Sequence, residues 1–354
     1  MRGSNVKRGR IEWEEEQTQH WPSVTADLRR YLLEVGDVVI AMDGSLVGRS
    51  FGTVRESDLP ALLLQRVARV RSAQIDSGYL RSWLCSERFT QHCDSVKTTT
   101  AIPHISPADI RSFKIAVPPL RAEQQAIGNA LGDTDTLIDS LEQLLTKQRQ
   151  IKQGAMQELL TGKRRVPGFG GSWRRSPLGS LLSIKHGRSQ KSVQSDDGEY
   201  PILASGGVIG WASEFLHDQP SVLIGRKGTI DVPRYMDTPF WSVDTLFYSH
   251  VAAPNSAKFL YYRFCLIDWM QYNEASGVPS LSARVIESIE IDHPDPAEQH
   301  AIAQVLTDMD ASLTALQARL TKARQLKQAL MQVLLTGRIR LLPPGAAAVG
   351  ASPA

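Results

Sequence analysis

The sequence is poor in several things at once, and each shortage excludes a class of protein. It carries three cysteines, Cys85, Cys93 and Cys265, in 354 residues. They cannot pair completely and form no C-x-x-C, so neither a disulfide scaffold nor a structural zinc site is expected, and a reducing, cytoplasmic setting fits. No apolar run approaches the roughly 18 residues of a membrane span. The opening MRGSNVKRGR is basic but lacks the apolar core of an export signal. Charge of one sign is also lacking: 40 Lys and Arg face 37 Asp and Glu, a net +3, which permits a polyanionic partner without requiring one. Catalytic patterns are missing as well. There is no G-x-x-x-x-G-K-[ST], no H-E-x-x-H and no G-x-S-x-G, and the eight histidines are scattered. Gly168-Phe169-Gly170-Gly171 lacks the strand before and the helix after that a nucleotide loop needs, and reads as a linker. His92-Cys93 are neighbours, so on a helix they face apart and make no dyad. Asp196-Asp197 sit in SDDGEYP, the composition of an exposed turn. No catalytic constellation and no metal site follow from these residues.

What is present is an internal repeat. The tract EQQAIGNALGDTDTLIDSLEQLLTKQRQIKQGAMQELLTGKRRV from Glu123 recurs as EQHAIAQVLTDMDASLTALQARLTKARQLKQALMQVLLTGRIRL from Glu298, 175 residues later, with about half the positions identical. Upstream, GDVVIAMDGSLVG and PSVLIGRKGTIDV both read as a buried strand running into a glycine turn. The unit is a globular segment followed by a long helix, twice over. Its helices carry a seam with alternating steps of four and three: Ile127, Leu131, Thr134, Ile138, Leu141, Leu145, Gln148, Lys152, Ala155 and Leu159 in the first, and Ile302, Leu306, Met309, Leu313, Leu316, Leu320, Ala323, Lys327, Leu330 and Leu334 in the second. Asp295 and Pro296 suit a helix start, and Gly162 and Gly337 suit helix ends. A seam of that length needs a partner, and its own repeat is the equivalent one. The expectation is an α+β fold with two globular domains on two long, antiparallel, coiled-coil-forming helices in a pseudo-two-fold arrangement. The boundaries are 1–117, 118–162, 163–293, 294–341 and a disordered tail at 342–354. The polar seam residues Thr134, Gln148, Lys152 and Lys327 either fix the register or lie at its solvated edge.

Charge is uneven along the chain. Between Lys163 and Lys191 stand Lys163, Arg164, Arg165, Arg174, Arg175, Lys185, Arg188 and Lys191 with no acid among them, and Arg2, Lys7, Arg8 and Arg10 precede the first acid, Glu12. Basic stripes with Gly, Ser and Asn let a backbone approach phosphates. Two related domains on a rigid spacer suit two half-sites on one duplex.

The tracts AVPPLRAEQQAIGNALGDTDTLIDSLEQLLTKQRQIKQGAMQELLTGKRRVPGF and PAEQHAIAQVLTDMDASLTALQARLTKARQLKQALMQVLLTGRIRL resemble the central and distal repeats of type I restriction-modification specificity subunits. The resemblance covers almost the whole chain. It implies a non-catalytic reader of a bipartite site on double-stranded DNA. Two methyltransferase subunits using S-adenosylmethionine and two motor-nuclease subunits using ATP and Mg would dock on it, the helices setting the gap between half-sites. Leu145, Leu159, Leu160, Leu320, Leu334 and Leu335 serve either the methyltransferases or the intrachain pair. Candidate DNA contacts are Arg188, Gln190, Lys191, Ser205, Arg226, Lys227 and Thr229 in the second domain, and Asn5, Lys7, Arg8, Arg10, Ser45, Arg49, Lys97 and Thr99 in the first. MRGSNVKRGRI resembles an interior tract of the family. The chain is therefore expected to begin inside its first recognition domain, without a counterpart of Trp173 to Tyr200. The alternative function is a scaffold that keeps the helical pair but reads DNA poorly.

Overall fold

The computed structural model describes residues 1–14 and 18–342; the tail expected from residue 342 lies, from 343 on, outside them. The chain divides into two units, residues 1–142 with 318–354, and residues 143–317. Among the described residues no helix is long and apolar enough to cross a membrane.

In the first unit a three-stranded antiparallel sheet of β1 (Val38–Ala41), β2 (Phe51–Thr53) and β3 (Val67–Val70) runs in the order β2-β1-β3. Every residue of β1 is buried because both faces are covered. Val38 and Ile40 pack with Leu80, Phe89 and Ile110, whereas Val39 and Ala41 pack with Val6, Leu33 and Val54 on the other side. The alternation follows from successive side chains of a strand pointing to opposite faces. Three short helices follow: α1 (Ser77–Leu84), α2 (Glu87–Val96) and α3 (Pro107–Ser112). Asp76, Ser86 and Ser106 cap them, each accepting from the amide three residues on. On α2, Cys93 is buried while His92 bonds the Asp109 carbonyl oxygen at 2.8 Å, so the two do face apart. The long helix α4 (Arg121–Leu159) then begins.

The second unit holds β4 (Arg174–Pro177), β5 (Leu182–His186), β6 (Tyr200–Ala204), β7 (Gly207–Ala212), β8 (Ser221–Gly225), β9 (Arg234–Met236), β10 (Trp241–Ser242), β11 (Leu246–Val251), α5 (Ala257–Phe264), α6 (Ala283–Ser288), β12 (Glu290–His293) and the start of α7 (Pro296–Leu334). Its main sheet runs β5-β11-β8-β9, beside a β10-β6-β7 sheet and a β12-β4 pair. The all-buried β8 is again sandwiched: Val222 and Ile224 pack with Phe259 and Leu260 of α5, and Leu223 packs with Phe240 and Leu246. Helix α5 stops at Phe264. A one-turn helix at Trp269–Tyr272 follows, capped by Asp268, whose carboxylate accepts from the Met270 amide.

Both long helices have 39 residues, on the order of 60 Å at 1.5 Å per residue. Within the first unit the start of α4 lies against the end of α7, where Ile127 and Leu131 cluster with Leu334, Leu335, Tyr79 and Trp83. Within the second unit the end of α4 and the start of α7 share one core, Leu159 and Leu160 clustering with Ile302, Ala303 and Leu306. The two helices therefore run in opposite directions in each unit. Every seam residue from Ile127 to Leu159 and from Ile302 to Leu334 is buried or half-buried.

Polar ties between the helices repeat at the 175-residue offset of the sequence. In the second unit Arg165 donates to Glu298 through Nε and Nη2, both at 2.6 Å, and in the first Arg340 grips Glu123 the same way. Lys152 pairs with Asp310, and Lys327 pairs with Asp135 at 2.5 Å. Arg149 meets Gln317 at 3.3 Å, and Arg324 meets Glu142 at 2.6 Å. Lys152 and Lys327 thus belong to cross-helix ion pairs, a device that selects register at some cost in stability. The remaining polar seam residues behave differently: Thr134 is buried and returns its hydroxyl to the Ala130 carbonyl oxygen. Gln148 is half-buried.

The P-x-x-E-Q and L-L-T-G tracts form one device. The glutamate is fully buried and receives the arginine that follows the other helix. The glutamine accepts from the backbone amide that opens a docking helix, Asp76 N to Gln124 at 2.9 Å and Ser256 N to Gln299 at 3.0 Å. Gly162 and Gly337 both take φ +70°. There the chain closes with six-residue backbone bonds, Arg164 N to Glu158 O and Ile339 N to Val333 O, both 3.2 Å. The turn aims Arg165 and Arg340 at their glutamates. At the start of α7, Asp295 uses its carboxylate on Arg174, 3.0 Å away, and its backbone carbonyl on the first helical amides.

Candidate nucleic-acid interface

Burial and pairing divide the basic residues into those spent inside the fold and those left over. Of the stripe from Lys163 to Lys191, Arg165, Arg174 and Arg175 are paired with Glu298, Asp295 and Glu290, and Arg164 approaches Glu158 at 3.6 Å. Lys163, Lys185, Arg188 and Lys191 are exposed and have no ion-pair partner among the described residues. The unpaired part of the stripe is therefore about half as long as the sequence suggests.

In the first unit the structure assigns several candidates to internal work. Asn5 is buried; its Oδ1 accepts from the Arg2 amide at 2.8 Å and its Nδ2 donates to the Glu12 carbonyl oxygen at 3.0 Å. Arg49 and Lys97 converge on Asp94, Arg49 through two bonds of 3.1 and 2.6 Å and Lys97 at 2.6 Å. These donors hold the Asp94 carboxyl well below the usual carboxylate range, and the Asp94 hydrogen bond raises Arg49. Arg10 pairs with Glu12 at 2.6 Å. Arg8, Ser45 and Thr99 are exposed and Lys7 is half-buried. Lys7 and Ser45 line a common cavity of about 800 Å³ with Arg2, Trp21 and Arg66. Arg66, at φ +66°, pairs with Asp43 at 2.7 Å there.

The second unit gathers its candidates more tightly. The β6–β7 turn carries Ser205, and the loop after β8 carries Arg226, Lys227 and Thr229. The two approach each other: a methyl group placed on Gly228 would lie 3.3 Å from Ser205 Oγ. The loop is braced by Arg226 N and Lys227 N, both donating to Thr245 O, and by Gly228 N donating to Pro279 O. Arg226 is half-buried and spends Nη1 on the Asp244 carbonyl oxygen. Lys227 and Thr229 are exposed. Arg188 has its backbone held by Ser242 and Trp241, which leaves its exposed side chain free; Gln190, half-buried, and Lys191 follow it in the same loop.

Arg234, at the first position of β9, is a residue that charge patterning does not single out. Its guanidinium lies against Gly207, whose added methyl would sit 3.4 Å from Nη1, and its buried Nε has no hydrogen-bond partner. Among the described residues no group of three or more His, Cys, Asp or Glu could hold a metal. The thiols are muted, since burial pushes Cys85 up to about 12 and Cys93 up to about 11.

Comparison with known proteins agrees with this architecture. The chain matches the type I restriction modification DNA specificity domain over residues 16–153 and again over 171–326. It is 31% identical over 172 residues to the type I restriction enzyme MjaVIII specificity subunit of Methanocaldococcus jannaschii, a match covering 46% of this chain and 39% of that protein. To the EcoAI specificity subunit of Escherichia coli it is 29% identical over 149 residues, covering 41% and 24%. The chain thus spans well under half the length of these curated relatives. In fold it resembles the crystal structure of a type I restriction-modification system S subunit from M. genitalium, with a TM-score of 0.66 over 93% of each chain at 16% identity. Matched twice, over most of its length, the chain belongs to the family of the type I restriction modification DNA specificity domain.

Proposed function

We propose that the chain is the DNA-recognition subunit of a type I restriction-modification complex. Each unit reads one short half of a bipartite duplex site, and the helical pair sets the gap between the halves. The observation that carries this reading is the duplication itself: two sheet-bearing units, each closed by the same arginine–glutamate grip, with unpaired cations on glycine-rich turns in the second. Two methyltransferase subunits, supplying S-adenosylmethionine chemistry on adenine, and two ATP-driven motor-nuclease subunits dock on the chain, which contributes recognition rather than catalysis. The family and the specificity subunits it matches support that division of labour. Exposed Leu144 and Ile151 of α4, off the buried seam, suit part of the docking surface.

Co-expression with a methyltransferase subunit of the same system, followed by genome-wide mapping of methylated adenines, tests the reading. It predicts a motif of two specified blocks around an unspecified gap; one contiguous block, or methylation without preference, would contradict it. A second reading, a scaffold whose first unit reads DNA poorly, draws on the internal engagement of Asn5, Arg10, Arg49 and Lys97. It predicts methyltransferase binding without sequence-dependent affinity in the assembled complex.

A further inference from the structure

We infer that Arg234, whose guanidinium lies against the glycine turn at Gly207, forms with Ser205 and Lys227 a seat for one DNA backbone phosphate. This rests on the DNA-recognition reading and assigns it a residue that the sequence pattern does not mark.

Three observations converge on the seat. First, Arg234 has no acid partner among the described residues, and its Nε is buried without a hydrogen-bond partner. A guanidinium carries five donors and cannot shed its charge, so a half-buried one without an acid partner is best satisfied when an anion meets the outer donors of its fork. Second, the turns beside these groups carry no side chain of their own. Gly207 and Gly228 have φ +130° and +88°, conformations that side chains rarely adopt. Their bare Cα atoms lie where methyl groups would crowd Arg234 Nη1 at 3.4 Å and Ser205 Oγ at 3.3 Å. Third, further donors border the same turns: the Ser205 hydroxyl is half-buried beside Gly228, and Lys227, next in the chain, is exposed and unpaired. The loop's own amides at Arg226, Lys227 and Gly228 are already bonded, so the loop is rigid and its side chains supply the free donors. A forked cation, a hydroxyl and a second cation beside two glycines match a phosphodiester. Such a contact positions a duplex without reading its sequence.

The test uses the chain assembled with the methyltransferase subunits of its system and a mixed-sequence duplex, because phosphate contacts do not depend on sequence. Binding is measured by fluorescence anisotropy across a salt series, with melting temperature recorded for each variant. Wild-type affinity should fall linearly on a log–log plot with salt. Arg234→Gln should make that slope shallower by about 0.9, the share of one released counterion, and Arg234→Lys should keep it. Ser205→Asp, at a turn that tolerates a polar side chain, should weaken binding while leaving melting unchanged. A wild-type slope in Arg234→Gln, or equal losses of melting temperature in the Gln and Lys variants with no change in slope, would overturn the inference and leave the DNA-recognition reading intact. A wild-type chain without salt-dependent duplex binding would overturn that reading as well.

Discussion

The two units share a plan and differ in what covers it. In the second, β11 has neighbours on both sides, β8 and β5; in the first, the corresponding strand β3 pairs with β1, and among the described residues no strand pairs with its other edge. In the second unit β12 pairs with β4, whereas the matching stretch before α4, Lys114–Val117, forms no strand and exposes Val117. Gly162 lies under the Trp173 ring, 3.1 Å from where a methyl would stand, whereas Gly337, at the same φ, has open space. The polar ties between the helices are nevertheless the same in both. The lesson is that the arginine–glutamate grip does not depend on how fully the attached sheet is covered, and that the units differ at their strand edges and in what packs on the turn after each helix.

That comparison can be broken most forcefully at the grip. Arg165→Ala leaves Glu298 buried and unpaired, and Arg340→Ala does the same to Glu123, so each should be clearly destabilising in chemical denaturation, by more than any other substitution below. The costs should be of similar size. A near-neutral result for one alone would show that only one of the two grips matters for stability.

Glycine replacement sharpens the contrast between the helix ends. Gly337→Ala should cost only the strain of a left-handed alanine, about 1–2 kcal/mol, since among the described residues nothing lies within 4 Å of the added methyl. Gly162→Ala carries that strain and a clash with Trp173, so its loss of stability should be clearly larger. Equal losses would mean that Trp173 gives way freely.

Amide hydrogen exchange compares the strands directly. Unpaired edges open at lower free energy than strands held on both sides, so β3 should exchange well before β11. Protection of β3 equal to that of β11 would show that its outer edge is covered in solution.

The smallest effect is acid sensitivity. The hydrogen bonds from Arg49 and Lys97 hold the Asp94 carboxyl below its unfolded value of about 3.9, so their stabilisation is complete above that pH and fades as the pH falls below it. An Asp94→Asn chain should be less stable near neutrality, and its disadvantage should shrink as the solution is acidified below pH about 4. A disadvantage independent of pH would rule out the charge as its source.

Much of this architecture was legible in the residues. A seam with 3.5-residue spacing can hardly be mistaken, and burial follows it from Ile127 to Leu159 and from Ile302 to Leu334. The partners of the seam lysines were less legible, because Asp135 and Asp310 sit one step off the seam, beside Thr134 and Met309, and look like solvated acids until the helices are paired. The same holds for Glu123 and Glu298: a glutamate in the first turn reads as a complement to the helix dipole, and only the antiparallel partner reveals it as a buried anion. Of the candidate DNA contacts, Asn5 is buried and bonded to its own turn, a role that a polar side chain near glycines takes as readily as that of a ligand contact. Arg234 escaped notice because a lone strand arginine carries no local pattern; the glycine its guanidinium lies against, Gly207, is 27 residues away in the chain.

The central claim is that each unit reads its own half of one DNA site. Replacing residues 174–293 with the matching segment of another family member, and mapping methylated adenines before and after, tests it most directly. The account predicts that one block of the motif changes while the other block and the gap between them stay as they were. Change in both blocks, or in neither, would contradict it.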